Sequence, residues 1–206
     1  MIPRVYARFF VNVIVWTVMF SGCSSHETYD KRYYVLNAIR EAEPAKTQTD
    51  FVLEVRRFTM DSAYSGSGLV YRIGESEYES DFYNAFLASP SAMVAERTRS
   101  WLSESRLFTR VLDPGSQIDP THVIEGNITA LYGDLRDGSS PTAIIEMRVF
   151  LLEAEAGQEP IPIFGKTYKS SVGIDSEDPE GLVEALGRCL QGILATLESD
   201  LAERLS

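Results

Sequence analysis

Few side chains in this 206-residue sequence combine reactive or metal-binding chemistry with an informative position. The chain contains two cysteines, Cys23 and Cys189, and two histidines, His26 and His122. Neither histidine has a cysteine or carboxylate at the spacing of a zinc site, and no G-x-S-x-G motif marks a nucleophilic serine. The sequence therefore predicts no metal, no cofactor and no enzymatic activity. A Ser-His-Asp arrangement that uses His122 is the alternative, because the members of a triad meet only in the folded protein. His122 itself is predicted at the start of a strand, on the face that alternates with the buried one.

Cys23 is placed directly behind an apolar segment. Met1–Arg8 carries two arginines and no acid, Phe9–Phe20 is apolar except at two positions, and the small residues Ser21 and Gly22 follow. A basic start, a short apolar core and small residues at the exit are typical of a secretory signal peptide. The alternative is a permanent transmembrane helix, which needs roughly 20 apolar residues and is therefore longer than this run.

The segment up to Cys23 resembles a bacterial lipoprotein signal, in which the thiol of an essential cysteine receives diacylglycerol before cleavage. The resemblance implies lipidation of Cys23 and cleavage between Gly22 and Cys23, whereas an ordinary signal peptide with an incidental thiol is the alternative. More than one acyl chain gives a stable membrane anchor. Ser24 stands where an Asp would signal retention in the inner membrane, so the resemblance implies the periplasmic face of the outer membrane.

The sequence divides into a signal peptide at 1–22, a lipidated tether at 23–31 and one domain at 32–206. Loss of the signal peptide removes two of the 19 basic residues and none of the 30 acidic ones, so the mature protein is strongly acidic. An acidic surface argues against nucleic acid as a partner. It also argues against electrostatic adsorption to anionic lipid, which leaves membrane anchoring to the acyl chains.

Apolar periodicity predicts an α/β fold: a mixed β-sheet with two main helices packed on one side, and a C-terminal β-meander followed by a long amphipathic helix. One helix begins at Ser89-Pro90, and the second begins at Asp178-Pro179 and continues for about six turns. Cys189 lies on the apolar face of the second helix and is predicted to be a buried, unreactive side chain. The predicted strands are Tyr33–Leu36, Phe51–Phe58 with a slip before Phe58, Leu69–Tyr78, Phe108–Leu112, Thr121–Tyr132, Ala143–Leu152 and Ile161–Ser171.

Two side-chain clusters lie between the early strands and the first helix. Glu75, Glu77 and Glu79 share one face if their segment is a strand. The three carboxylates then form either a solvated strand end or a calcium site. The solvated strand end is favoured, because the residue pattern of a calcium-binding loop is missing. An aromatic group forms either a binding surface or the filling between sheet and helix. Its members are Tyr64, Tyr71, Tyr78, Phe82, Tyr83 and Phe86.

Three stretches together resemble the ABC-type transport auxiliary lipoproteins, a family that includes the third component of the paraquat-inducible Pqi system. They are Gly68-Leu-Val-Tyr-Arg72, Tyr78-Glu-Ser-Asp-Phe-Tyr83 and the helix from Ser89-Pro90 to Trp101-Leu102. Tyr34-Val35-Leu36 matches the Tyr-x-Leu strand with which the family begins. Tyr83 and Phe86 stand where many members carry a Trp near the start of the first helix.

The resemblance implies a non-enzymatic accessory role beside an ABC transporter and a periplasmic mammalian-cell-entry (MCE) protein, in the movement of lipids or other apolar solutes across the periplasm. It implies docking or assembly as the task and a homo-oligomeric ring as an architecture, with Tyr71 and Arg72 as candidate docking residues. The alternatives are a periplasmic carrier that holds lipid between sheet and helices, and a scaffold of another envelope complex.

Overall fold

The computed structural model describes residues 30–45 and 48–205 of the chain. The mixed sheet and the two long helices in these ranges confirm the predicted fold class. In chain order the elements are β1 (Arg32–Tyr34), β2 (Thr49–Val55), β3 (Thr59–Met60), a 3-10 turn (Ser62–Tyr64), β4 (Gly68–Arg72), β5 (Tyr78–Phe86), α1 (Pro90–Ser105), β6 (Phe108–Leu112), β7 (His122–Asp134), β8 (Thr142–Glu153), β9 (Ile161–Gly173) and α2 (Pro179–Leu205). None of the helices in the described ranges is long and apolar enough to cross a membrane.

Strand β7 is the central strand of the sheet, because other strands pair with it on both of its edges. One edge pairs with β8 in antiparallel fashion, and β8 in turn pairs with β9, which forms the predicted meander. The other edge is shared by three parallel strands, β2, β3 and β4, at successive positions. Strand β6 extends the β2 branch, whereas β5 and then β1 extend the β4 branch. On this side of β7 the sheet therefore consists of two separate branches, and β1 is the outermost strand of the β4 branch.

Helix α1 begins where the sequence predicts. Pro90 occupies the first turn, and the Ser89 carbonyl accepts hydrogen bonds from the amides of Ala92 and Met93 at 3.0 and 3.1 Å. The helix ends at Arg106, which has a left-handed φ of 55°. Its buried apolar side chains are Met93, Val94, Ala95, Trp101 and Leu102.

Helix α2 covers the meander. Asp178 caps it by accepting a hydrogen bond from the Gly181 amide at 2.8 Å. Cys189 is fully buried, as the sequence predicts, and its thiol donates to the Ala143 carbonyl at 3.3 Å. The apolar face that packs on the sheet consists of Leu182, Leu186, Leu190, Ile193, Leu194, Leu197 and Leu201.

One buried ion pair connects the segment after β1 to both helices. The Glu198 carboxylate on α2 accepts hydrogen bonds from Nε and Nη2 of Arg40, each at 2.9 Å. It also accepts the indole N–H of Trp101 on α1 at 2.7 Å. The Arg40 side chain is only 4% exposed, so its charge depends on this carboxylate for compensation.

Gly126 on β7 allows Phe58 to pack flat against the sheet. A Cβ built at Gly126 would lie 2.5–2.8 Å from three ring atoms of Phe58, whose side chain is buried. We expect Gly126→Ala to lower the free energy of unfolding by about 1–3 kcal/mol, because the displaced ring must force its neighbours out of place. Urea unfolding of the purified protein measures the change.

Gly66→Ala is the matched control, because a Cβ at Gly66 has no atom within 4 Å. Its unfolding midpoint should stay close to that of the wild type. Equal midpoints for Gly126→Ala and Gly66→Ala would contradict the packing argument.

Candidate functional site

The stretch that was predicted as a single strand, Leu69–Tyr78, is interrupted by a turn and belongs to a β-hairpin that extends from Gly68 to Phe86. Strands β4 and β5 pair in antiparallel register, and residues 73–77 form the turn between them. The turn closes through hydrogen bonds from the amides of Ile73 and Gly74 to the Glu77 carbonyl, at 3.0 and 3.3 Å. The prediction was wrong because it extended the strand through residues 74–77, a polar run that instead forms most of the turn.

Arg72 holds this turn together. Its Nε donates to the Gly74 carbonyl at 3.2 Å, and its Nη2 donates to the Glu75 carbonyl at 2.6 Å. The Glu75 carboxylate accepts a hydrogen bond from Arg136 at 2.8 Å, and Arg136 also binds Asp134. Hydrogen bonding to Arg136 is the main reason why the pKa of Asp134 lies below its usual value.

The acidic triplet is therefore divided by the hairpin. Glu75 and Glu77 belong to the turn, and only Glu79 lies in a strand. The Glu75 carboxylate forms ion pairs with the guanidinium groups of Arg136 and Arg72. In the described part of the chain, no three His, Cys, Asp or Glu side chains are grouped so that they could hold a metal ion.

Three tyrosines surround Arg72 and form, together with it, the tyrosine–arginine cluster. The Tyr64 and Tyr132 rings stack at 5.8 Å, and the Tyr78 ring meets each of them edge-on at 6.2 and 5.5 Å. The Arg72 guanidinium lies 5.6 Å from the centre of the Tyr78 ring, within cation–π distance. Burial raises the pKa of Tyr64 and Tyr132, so both hydroxyls are neutral at neutral pH. The Tyr78 side chain remains 42% exposed, which gives the cluster an accessible aromatic face.

Tyr71 and Arg72 lie on opposite faces of β4, because successive strand residues alternate. Tyr71 lines an apolar pocket of about 290 Å³ beside the start of α2, together with Leu182 and Ile174. Burial, with a smaller contribution from Asp81, raises the pKa of Tyr71 to about 12. The two predicted docking residues therefore belong to different surroundings, and their docking role stays a prediction.

His122 is buried at the start of β7, whereas the sequence placed it on the face opposite the buried one. That prediction was wrong because the first part of β7 is covered on both faces. The His122 ring lies 4.2 Å from the Phe51 ring, and its Nδ1 is 3.0 Å from the Thr121 hydroxyl. Burial lowers the pKa of His122, although Glu153 opposes this effect.

We expect the stability of the protein to fall as the pH drops below about 6.5, the ordinary pKa of histidine. The unfolded chain then binds a proton at His122 that the folded protein does not, so protonation favours unfolding. This contribution is complete above the unfolded pKa and declines until the pH reaches the lower pKa of the folded state. Urea unfolding measured between about pH 5 and pH 8 should show a slope that His122→Leu reduces. An unchanged slope would contradict this assignment.

A groove of about 830 Å³ with mixed apolar and charged walls lies between α1 and the ends of β2 and β6. Arg56 binds Glu125 at 2.7 Å and Glu54 at 3.4 Å along its wall, and Arg99 pairs with Glu96 on α1. Charged side chains therefore line much of this groove.

Residues 34–197 match the family of ABC-type transport auxiliary lipoprotein components, and the chain belongs to this family. The resemblance found in the sequence is thereby confirmed. The family is one of membrane-anchored lipoproteins of the cell envelope that assist transporters, and it is not an enzyme family. Among curated proteins, no relative matches this chain.

Solved structures show the same fold. Protein XCC0632 from Xanthomonas campestris, of the DUF330 family, has a TM-score of 0.68 at 14% identity, over 84% of this chain and 94% of its own. An uncharacterized protein has a TM-score of 0.65 at 16% identity, over 84% and 99%. The hypothetical protein CT253 from Chlamydia trachomatis has a TM-score of 0.51 at 12% identity, over 76% and 98%. At these identities the likeness shows the fold alone.

Proposed function

We propose that this protein is a non-enzymatic outer-membrane lipoprotein that serves an ABC transporter of the MCE type as a docking or assembly partner. The observation that carries the proposal is the family match, which extends from β1 into α2 and so includes nearly the whole described domain. The transported solutes would be lipids or other apolar molecules. Cys23, cleaved from Gly22 and acylated, would hold the domain at the membrane; both residues lie outside the described ranges.

The interior of the domain supports docking over cargo binding. A lipid carrier needs a continuous apolar cavity, whereas side chains of both layers occupy the space between the sheet and the helices here. The apolar pocket beside Tyr71 is small, and the acids Glu177 and Asp178 contribute to its wall. We therefore propose that the partner-binding surface lies on the outside of the domain.

The tyrosine–arginine cluster is the docking surface that we propose. Arg72 fixes the hairpin turn and Tyr132 supports the rings from beneath, so Tyr78 is presented in a defined orientation. A rigid, amphipathic aromatic side chain loses little entropy when a partner covers it, and both Tyr and Arg are frequent at the centres of interfaces. On the other face of β4, Tyr71 would support the same strand from within.

Co-purification from native membranes in mild detergent tests the proposal. Mass spectrometry should identify an MCE-domain protein or the ABC ATPase together with an acylated Cys23 peptide. We expect Tyr78→Ala to reduce the recovered partner by about tenfold, as for a central aromatic contact. Ile118→Ala is the matched control, because Ile118 is 45% exposed and lies in the loop between β6 and β7.

The outcomes separate the parts of the proposal. An acylated Cys23 without any transporter subunit would contradict the transporter role and leave the lipid anchor in place. An unmodified, uncleaved N-terminus would contradict the anchor itself. Equal recovery of the partner with Tyr78→Ala and Ile118→Ala would contradict the assignment of the docking surface to the tyrosine–arginine cluster.

A further inference from the structure

Strand β5 contains a bulge that turns two aromatic side chains outward. Between the pairs Gly68–Ala85 and Val70–Ser80, one residue of β4 faces four residues of β5. The Asp81 carboxylate stabilises this bulge by accepting hydrogen bonds from the amides of Tyr83 and Asn84, at 2.8 and 2.9 Å. Phe82 and Tyr83 lie inside the bulge, where their rings pack against each other at 5.2 Å.

Gly68 permits this arrangement. A Cβ at Gly68 would collide with the Ser80 hydroxyl and lie 2.6 Å from the Asp81 carbonyl oxygen. The Asn84 side chain is also engaged, because it donates to Asp81 at 2.9 Å and accepts a hydrogen bond from the Tyr34 hydroxyl at 3.1 Å. Bulges at sheet edges redirect side chains and are common next to functional sites. The exposure of Phe82 is therefore built into the strand.

The redirected rings join other exposed apolar side chains in one surface, which we call the aromatic patch. It consists of Tyr33, Val35, Phe82, Tyr83 and Leu87, each between 43% and 68% exposed. The parallel pairing of β1 with β5 brings these residues together, because Tyr33 is the partner of Ala85 and Leu87 donates its amide to the Tyr34 carbonyl. Contiguous exposed apolar surface of this kind marks a site of contact.

The patch adjoins the point where the chain enters the domain. Lys31 is the residue before β1, and its ammonium lies 4.3 Å from the centre of the Phe82 ring. Cys23 precedes Lys31 by eight positions, a reach of at most roughly 30 Å even for an extended chain. An acyl chain on Cys23 therefore keeps the patch close to the lipid surface.

We propose that the aromatic patch inserts into the headgroup region of the membrane that holds Cys23, so that the domain is oriented by a second contact beside its lipid. The inference rests on the lipid anchor of the proposed function. Phenylalanine and tyrosine side chains next to a lysine are the chemistry found where proteins meet the membrane interface. Apolar insertion also suits a protein whose acidic surface gives it no general attraction to anionic lipid.

Tryptophan fluorescence in lipid vesicles tests the proposal. Mature, acylated protein carrying Phe82→Trp is reconstituted into vesicles of phosphatidylethanolamine and phosphatidylglycerol whose acyl chains are brominated close to the headgroup. We expect bromine to quench roughly half of the emission contributed by the substituted position, since a side chain in the interface lies at that depth. The wild-type protein supplies the background from buried Trp101.

Ile161→Trp is the matched control. Ile161 is 62% exposed, against 68% for Phe82, and lies on β9 at a different edge of the sheet. Its emission should not respond to brominated lipid. Quenching of Phe82→Trp alone would support the proposal, whereas equal quenching at both positions, or none at either, would overturn it.

Two further measurements distinguish a failure of membrane insertion by the aromatic patch from a failure of the lipid anchor on Cys23. The mass of the Cys23 peptide reports acylation directly, so an acylated protein without quenching contradicts the patch and leaves the anchor in place. A protein without acylation contradicts the anchor of the proposed function. If Phe82→Trp shows a blue-shifted emission that bromine does not quench, and Phe82→Ser dissociates an oligomer in detergent, the patch binds a second copy and the membrane proposal is wrong.

Discussion

We expect the Cys23→Ser variant, exported by an ordinary cleavable signal peptide, to be found in the soluble periplasmic fraction. Without a thiol at this position there is no acceptor for diacylglycerol, so the variant lacks the proposed lipid anchor. The aromatic patch by itself gives only weak, reversible binding, because stable anchoring takes two membrane signals. Fractionation of cells and intact mass of the purified protein measure the effect, which we expect to be close to complete.

Cys189→Ala is the control for this experiment, because Cys189 is the other cysteine of the chain and is fully buried. Burial raises the pKa of its thiol, so it is a poor nucleophile, and its loss should leave the lipid and the membrane location unchanged. Continued membrane association of Cys23→Ser in the absence of any acyl group would contradict lipid anchoring at this residue.

Glu198→Ala is expected to destabilise the fold by about 3–5 kcal/mol, because it leaves the buried charge of Arg40 without its partner. The same substitution removes the acceptor of the Trp101 indole N–H, which links α1 to α2. The Arg40 guanidinium does not escape the loss by releasing its proton, because arginine stays protonated in proteins even without an acidic partner. Urea unfolding with far-ultraviolet circular dichroism measures the change.

The combination Arg40→Met with Glu198→Gln distinguishes a lost charge partner from lost packing. Glutamine still offers an oxygen to Trp101, and methionine removes the buried charge, so most of the stability should return. Glu184→Ala, an exposed position on the same helix, should have an effect within about 0.5 kcal/mol. An effect of Glu198→Ala no larger than that of Glu184→Ala would contradict the role of this ion pair.

Local sequence patterns were sufficient for most of the elements. Pro90 and Pro179 fix the first turns of the helices, since proline is tolerated there and disfavoured further inside. The meander was predictable because strict alternation in β8 reflects one buried and one solvated face. Short strands such as β3, with two residues, carry no periodic signal and were missed.

The aromatic group divides between the two alternatives that the sequence left open. Phe86 is buried in the core and Tyr71 borders it, as filling between sheet and helix requires. Phe82 and Tyr83 are exposed, as expected for a binding surface. Both lie in β5, the strand that precedes α1 and ends at Phe86. The bulge at Asp81 determines which of these aromatic side chains are exposed and which are buried. A bulge depends on the pairing of two strands, which a single sequence does not reveal.

By itself, the sequence determined the signal-like segment ending at Cys23, the acidic surface, the α/β class, the two helices and the meander. These properties depend on composition or on periodicity within one element, so neighbouring residues suffice to define them. Only the tertiary structure decided the hairpin turn braced by Arg72, the burial of His122, the compensation of Arg40 by Glu198 and the assembly of the aromatic patch. Each of these requires contact between distant segments, such as Arg40 and Glu198, which are 158 positions apart. Such contacts form only when the chain folds, because the energy of a buried charge or ring depends on what surrounds it in space.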